Sequence, residues 1–70
     1  MKVELKAGKI RMMLARHNRT QQWLAQQLET TNSYFSQLMT GKRRPSAVMR
    51  QKIMEALHVQ EFNDIFIIQE

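Results

Sequence analysis

Apolar positions along this chain recur at helical spacing, in short segments. Ile10, Met13, Leu14 and His17 fall three and four residues apart, so residues 6–17 are expected to form an amphipathic helix. Gly8 weakens its first turn, and Asn18 and Arg19 interrupt it. Thr20 stands where an N-cap belongs, because its hydroxyl can accept from the free N–H groups of a first turn. Leu24, Ala25 and Leu28 then share one face of a second helix running to about Leu28. Thr30 and Thr31 break the register, and Thr31 caps an expected third helix over residues 32–39, with Phe35 and Leu38 inward. Gly41 is placed as its C-terminal stop. Beyond the loop "GKRRPS", Ser46 caps a fourth helix from Ala47 to about Leu57, with Met49, Ile53, Ala56 and Leu57 as its apolar stripe. A short fifth element, Glu61 to Phe66, carries Phe62, Ile65 and Phe66, and the run "IFII" either extends it or turns into a short strand. The fold class expected from this pattern is all-α, five short helices with no convincing sheet, in one domain spanning residues 1–70.

Size and composition narrow the picture. A 70-residue domain buries only about 60% of the surface its unfolded chain exposes, so a second copy or another partner would add stability. There is no cysteine, which excludes a disulfide framework and a cysteine metal site. The N-terminus has no apolar signal region and no apolar run is long enough to span a bilayer, so a cytoplasmic location is expected.

Charge is distributed unevenly. Residues 1–52 carry all eleven Lys and Arg against two acids, Glu4 and Glu29, whereas residues 53–70 carry no base and four acids. One end of the molecule therefore suits a polyanion and the other does not, and nucleic acid is the commonest polyanion. The stretch from Gln21 to Thr40 is rich in amides and hydroxyls and holds a single charge, Glu29, before Lys42, Arg43 and Arg44 arrive together. Amides discriminate bases without charge, pairing bidentately with adenine. Cations supply affinity through phosphates.

Two short helices joined by a tight turn, the second with a polar N-terminal face, are what a helix-turn-helix requires. Ala25 is small enough for the helix crossing, and Leu24, Leu28, Phe35 and Leu38 can lock the pair to a core. The segment "TQQWLAQQLETTNSYFSQLMTGKRRPS" resembles the helix-turn-helix of Cro/C1-type (XRE) regulators, and the likeness extends from about Ile10 to Phe66 through "IRMMLARHNRTQQWLA", "KIMEALHV" and "FNDIF". The resemblance implies a lambda-repressor-like domain, with the helix-turn-helix at about residues 20–40. Base reading would fall to Asn32 and Ser33, and one turn on to Ser36 and Gln37. Gln21 would contact a phosphate and buttress the reading helix. The basic loop Lys42, Arg43 and Arg44 would hold the DNA backbone, joined by Thr31, Tyr34 and Arg19. Adenines are expected opposite Asn32 or Gln37.

Three features depart from that pattern. Glu29 stands where a glycine favours positive φ, at a cost of about 1 kcal/mol unless the turn differs. Asn18 replaces a glycine after the first helix and is followed by Arg19 in place of an apolar residue. Leu14 and Met39 replace an Arg–Glu pair that is buried in related domains. Both charges are lost together, which is tolerable where losing one is not, and the two side chains are expected to touch.

Part of the apolar tail should cap the core. Phe62, Ile65, Phe66, Ile67 and Ile68, within residues 59–70, are the candidates for a homodimer contact. No nucleophile–base pair or glycine-rich phosphate loop is recognisable, so no enzymatic activity is expected. His17 and His58 lack partners at ligand spacing, so neither metal nor other cofactor is expected. The six Met read as core filling. The expected partner is double-stranded DNA, bound as a homodimeric repressor in a bacterial or phage setting, with no small-molecule substrate. A DNA-binding antitoxin, or a protein-interaction module without a DNA role, are the alternatives.

Overall fold

A computed structural model describes all 70 residues. The chain runs β1 (Lys2–Leu5), α1 (Ala7–Arg16), α2 (Gln21–Gln27), α3 (Asn32–Met39), α4 (Ala47–Leu57), a single 3₁₀ turn at Phe62–Asp64, and β2 (Phe66–Gln69). The five-helix, all-α expectation is therefore wrong. The molecule has four α-helices and a two-stranded antiparallel sheet, a small mixed α/β domain.

The sheet joins the two ends of the chain. Lys2 pairs with Gln69, Val3 with Ile68, Glu4 with Ile67 and Leu5 with Phe66. β1 shows the period-two alternation of a half-buried strand, with Val3 and Leu5 inward, whereas β2 buries only Phe66 and leaves Ile67, opposite Glu4, and Ile68, opposite Val3, exposed. The Lys6 backbone N–H extends the pairing to the Ile65 carbonyl at 2.7 Å, and the Lys6 ammonium donates to the Asn63 carbonyl at 2.7 Å. The fifth helix does not form because Ile65 and Phe66 are needed inside: both are fully buried, and a strand delivers Phe66 to the core. Phe62 stacks on Phe66 with ring centroids 4.9 Å apart. Ile65 and Phe66 thus have no surface to give to a dimer contact, and Ile67 and Ile68 alone of that tail group are well exposed.

One cluster of 13 buried apolar residues holds the fold together, and no polar or charged side chain is buried. Leu14 and Met39 both enter this cluster. At these positions the desolvation cost of a buried ion pair is avoided altogether.

The caps follow the sequence. Thr20 Oγ1 accepts from the Trp23 N–H at 3.0 Å, Thr31 Oγ1 from Tyr34 at 3.0 Å and Ser46 Oγ from Met49 at 3.1 Å. The helix ends share another device. Asn18, Glu29 and His58 all adopt left-handed backbone, with φ of 55°, 57° and 55°. In each case the next N–H reaches back five residues: Arg19 to the Leu14 carbonyl, Thr30 to Ala25 and Val59 to Met54. These are Schellman closures of α1, α2 and α4, built without glycine.

Two packings place the polar face of α3. Helices α2 and α3 pack against each other, and β1 packs against α3. Gly41 turns the chain out of α3 with φ of 82°. A Cβ there would stand 3.6 Å from the Glu4 carboxylate, so the loop after α3 leaves alongside β1.

Candidate nucleic-acid interface

Helix α3 is split lengthwise by its sequence. Phe35, Leu38 and Met39 are buried, while Asn32 and Ser33 are exposed and Ser36 and Gln37 half-exposed. All four expected base-reading residues therefore have surface on the side of α3 away from the core. Asn32 and Ser33 occupy the first turn, where four N–H groups also lack helical partners. Thr31 is exposed, and its oxygen is engaged by the cap while its hydroxyl hydrogen stays free to donate. Gln21, half-exposed, opens α2.

The cationic loop is attached to this helix at one point. Lys42, Arg43 and Arg44 are all exposed. Arg43 alone among them folds back on α3. Its backbone N–H donates to the Gln37 carbonyl at 3.2 Å, its Nε donates to the Gln37 side-chain oxygen at 2.7 Å, and its guanidinium lies 6.0 Å from the centre of the half-buried Tyr34 ring. The Thr40 hydroxyl donates to the same Gln37 carbonyl at 3.3 Å. Pro45, buried, ends the loop, and its carbonyl accepts from an Arg50 guanidinium nitrogen at 3.1 Å. The basic segment is thus held at Arg43 and Pro45, and the exposed Lys42 and Arg44 flank Arg43.

Arg19 is placed differently. Its guanidinium covers the Trp23 ring at 4.7 Å, a cation–π contact at the start of α2. The two line one side of an open groove of about 400 Å³, which Met13, Leu57, His17 and His58 also border. The sequence separates these two histidines widely, and only the fold brings them to one groove. Spacing also does not show the Arg43–Gln37 bond, because it crosses the helix end and depends on the turn at Gly41. Its one local signal is the Gly two residues before Arg43.

The arrangement combines neutral donors and acceptors on a helix with exposed cations on a short anchored loop. Side chains of the first kind match base edges, and those of the second match phosphates. No helix of the molecule is long and apolar enough to cross a membrane.

No protein-family model and no functionally curated protein matches the chain. Among solved structures it is similar to one described as a "putative DNA-binding protein from Bacteroides fragilis", with a TM-score of 0.72 and 28% sequence identity over 93% of this chain and 98% of that one.

Proposed function

We propose that this protein is a sequence-specific, double-stranded-DNA-binding transcriptional regulator of the Cro/C1 type. It acts as a homodimer that represses by occupying its operator, in the cytoplasm, without enzymatic activity or cofactor. One observation carries the reading: α3 turns a neutral, amide- and hydroxyl-bearing face outward beside an anchored loop of three exposed cations. The description of the similar Bacteroides fragilis protein supports the DNA-binding role, and the helix-turn-helix resemblance of residues 20–40 supports the finer class. Two copies would set their reading helices in successive major grooves, about 34 Å apart. The exposed Ile67 and Ile68 supply an apolar contact remote in sequence from the basic loop.

Selection from a random duplex pool at two salt concentrations tests this reading. It expects a palindrome with half-sites one turn apart, and affinity that falls steeply as salt rises. Salt-dependent binding without an enriched sequence would remove the regulator and leave a non-specific basic protein.

A further inference from the structure

The bond between Arg43 and Gln37 changes what Gln37 can read. The Arg43 Nε carries a hydrogen and can only donate, so the atom it meets at 2.7 Å must be the amide oxygen of Gln37. One lone pair of that oxygen is then taken by Arg43, while the Gln37 NH₂, a pure donor, makes no hydrogen bond within the fold. Beside it stand the two terminal nitrogens of Arg43, also pure donors. Resting on the DNA-binding reading above, we infer that Arg43 is a specificity-determining residue, which converts Gln37 from an adenine reader into half of a donor–donor pair selective for guanine.

The chemistry of the base edges decides this. Adenine presents an acceptor, N7, beside a donor, N6, and a free amide matches both. Guanine presents two acceptors, N7 and O6, side by side. The Arg43 N–H donors brought against that oxygen oppose the adenine N6 hydrogens, whereas guanine N7 and O6 can accept from them and from the Gln37 NH₂. The pair is well set for such a role. Arg43 is fixed at its backbone by the Gln37 carbonyl, at its Nε by the Gln37 side chain, and its guanidinium is carried over Tyr34. Gln37 is itself half-exposed on a helix, so little further ordering is needed on binding. Asn32 has no such partner among the side-chain hydrogen bonds of the fold. It keeps both amide functions, so the adenine expectation stays with Asn32 and leaves Gln37.

The experiment compares selected half-sites for wild type, Gln37→Ala, Arg43→Ala and Arg43→Lys, each first shown by thermal melting to be folded. The position at which Gln37→Ala loses its preference defines the base pair that Gln37 faces. Wild type should prefer guanine there, by roughly tenfold or more over adenine. Arg43→Ala should shift that one position towards adenine and leave the others unchanged. Arg43→Lys keeps the charge but replaces the planar fork by a point donor, so it should restore affinity more fully than the guanine preference. A purely electrostatic Arg43 would lower affinity alike on all sequences and move no base preference, which would overturn the inference. Adenine at the Gln37 position in wild type would also overturn it. If no variant enriches any sequence, the DNA-reading function itself fails and the inference falls with it, an outcome distinct from a wrong base at one position.

Discussion

The Lys6 backbone N–H donates to the Ile65 carbonyl across 2.7 Å, joining the residue before the first helix to the residue before the last strand. This contact leads the pairing that runs from Leu5–Phe66 to Lys2–Gln69, and it makes the two chain ends a structural unit rather than tails. Phe66, fully buried, is the largest side chain that β2 contributes. Phe66→Ala should cost about 3–5 kcal/mol, comparable with the entire stability of a domain this small. Urea denaturation followed by circular dichroism measures it, and a loss under 1 kcal/mol would mean that the sheet is not needed to close the core.

The left-handed helix ends give a change in the opposite direction. Glu29 and His58 hold φ near +55°, a conformation that costs a residue with a Cβ about 1 kcal/mol and glycine almost nothing. Glu29→Gly and His58→Gly should each raise stability by roughly 0.5–1 kcal/mol in the same denaturation measurement. Asn18, whose short side chain tolerates the left-handed region better, should gain less. If Glu29→Gly destabilises, the turn between α2 and α3 has another geometry in solution.

Lys42 and Arg44 extend from a loop held at Arg43 and Pro45. If each contacts one phosphate, Lys42→Ala combined with Arg44→Ala should lower the slope of log affinity against log salt by about two units. Sequence preference at the half-site should not change. An unchanged slope would place these two cations in solvent.

Ile67 and Ile68 are 43% and 46% exposed, and their replacement should leave the fold within about 0.5 kcal/mol. If they form the homodimer contact, Ile67→Lys with Ile68→Lys should make the protein monomeric in analytical ultracentrifugation and reduce operator binding to half-site affinity. A wild type that stays monomeric at every concentration, with and without operator, would rule the homodimer out.

Trp23 is the chain's one tryptophan, and Arg19 lies over its ring. Drawing Arg19 to a phosphate would uncover the indole, so its fluorescence should change on DNA binding in wild type and much less in Arg19→Ala. Equal responses would leave Arg19 as a partner of Trp23 only.

Helix α3 is legible to the residue, from its hydroxyl cap, apolar stripe and the stop at Gly41, and α4 closely, from its hydroxyl cap and apolar stripe. The outward face of α3 was legible for the same reason, since the inward positions of Phe35 and Leu38 leave Asn32, Ser33 and Gln37 no other direction. The sheet was not. Four residues of alternation, as in "KVEL", are too few to rise above chance, and their pairing partner lies at the far end of the chain, where no local pattern refers to it. That part of the tail caps the core is legible, but which residues do so is not, because Ile65 and Phe66 complete a core whose size cannot be read from helices alone. The Arg43–Gln37 bond was hidden by the turn at Gly41, whose direction depends on packing beside β1.

The antiparallel pairing of β1 with β2 also sets an order of events during synthesis. Residues 2–5 emerge from the ribosome before residues 66–69 and find their partners only when those have emerged. The helices rest on local contacts and can form early. Val3 and Leu5 must wait in solvent, and the face of the core that they cover stays open meanwhile. The lifetime of that half-closed chain, rather than the strength of any helix, sets how exposed the protein is to aggregation as it is made.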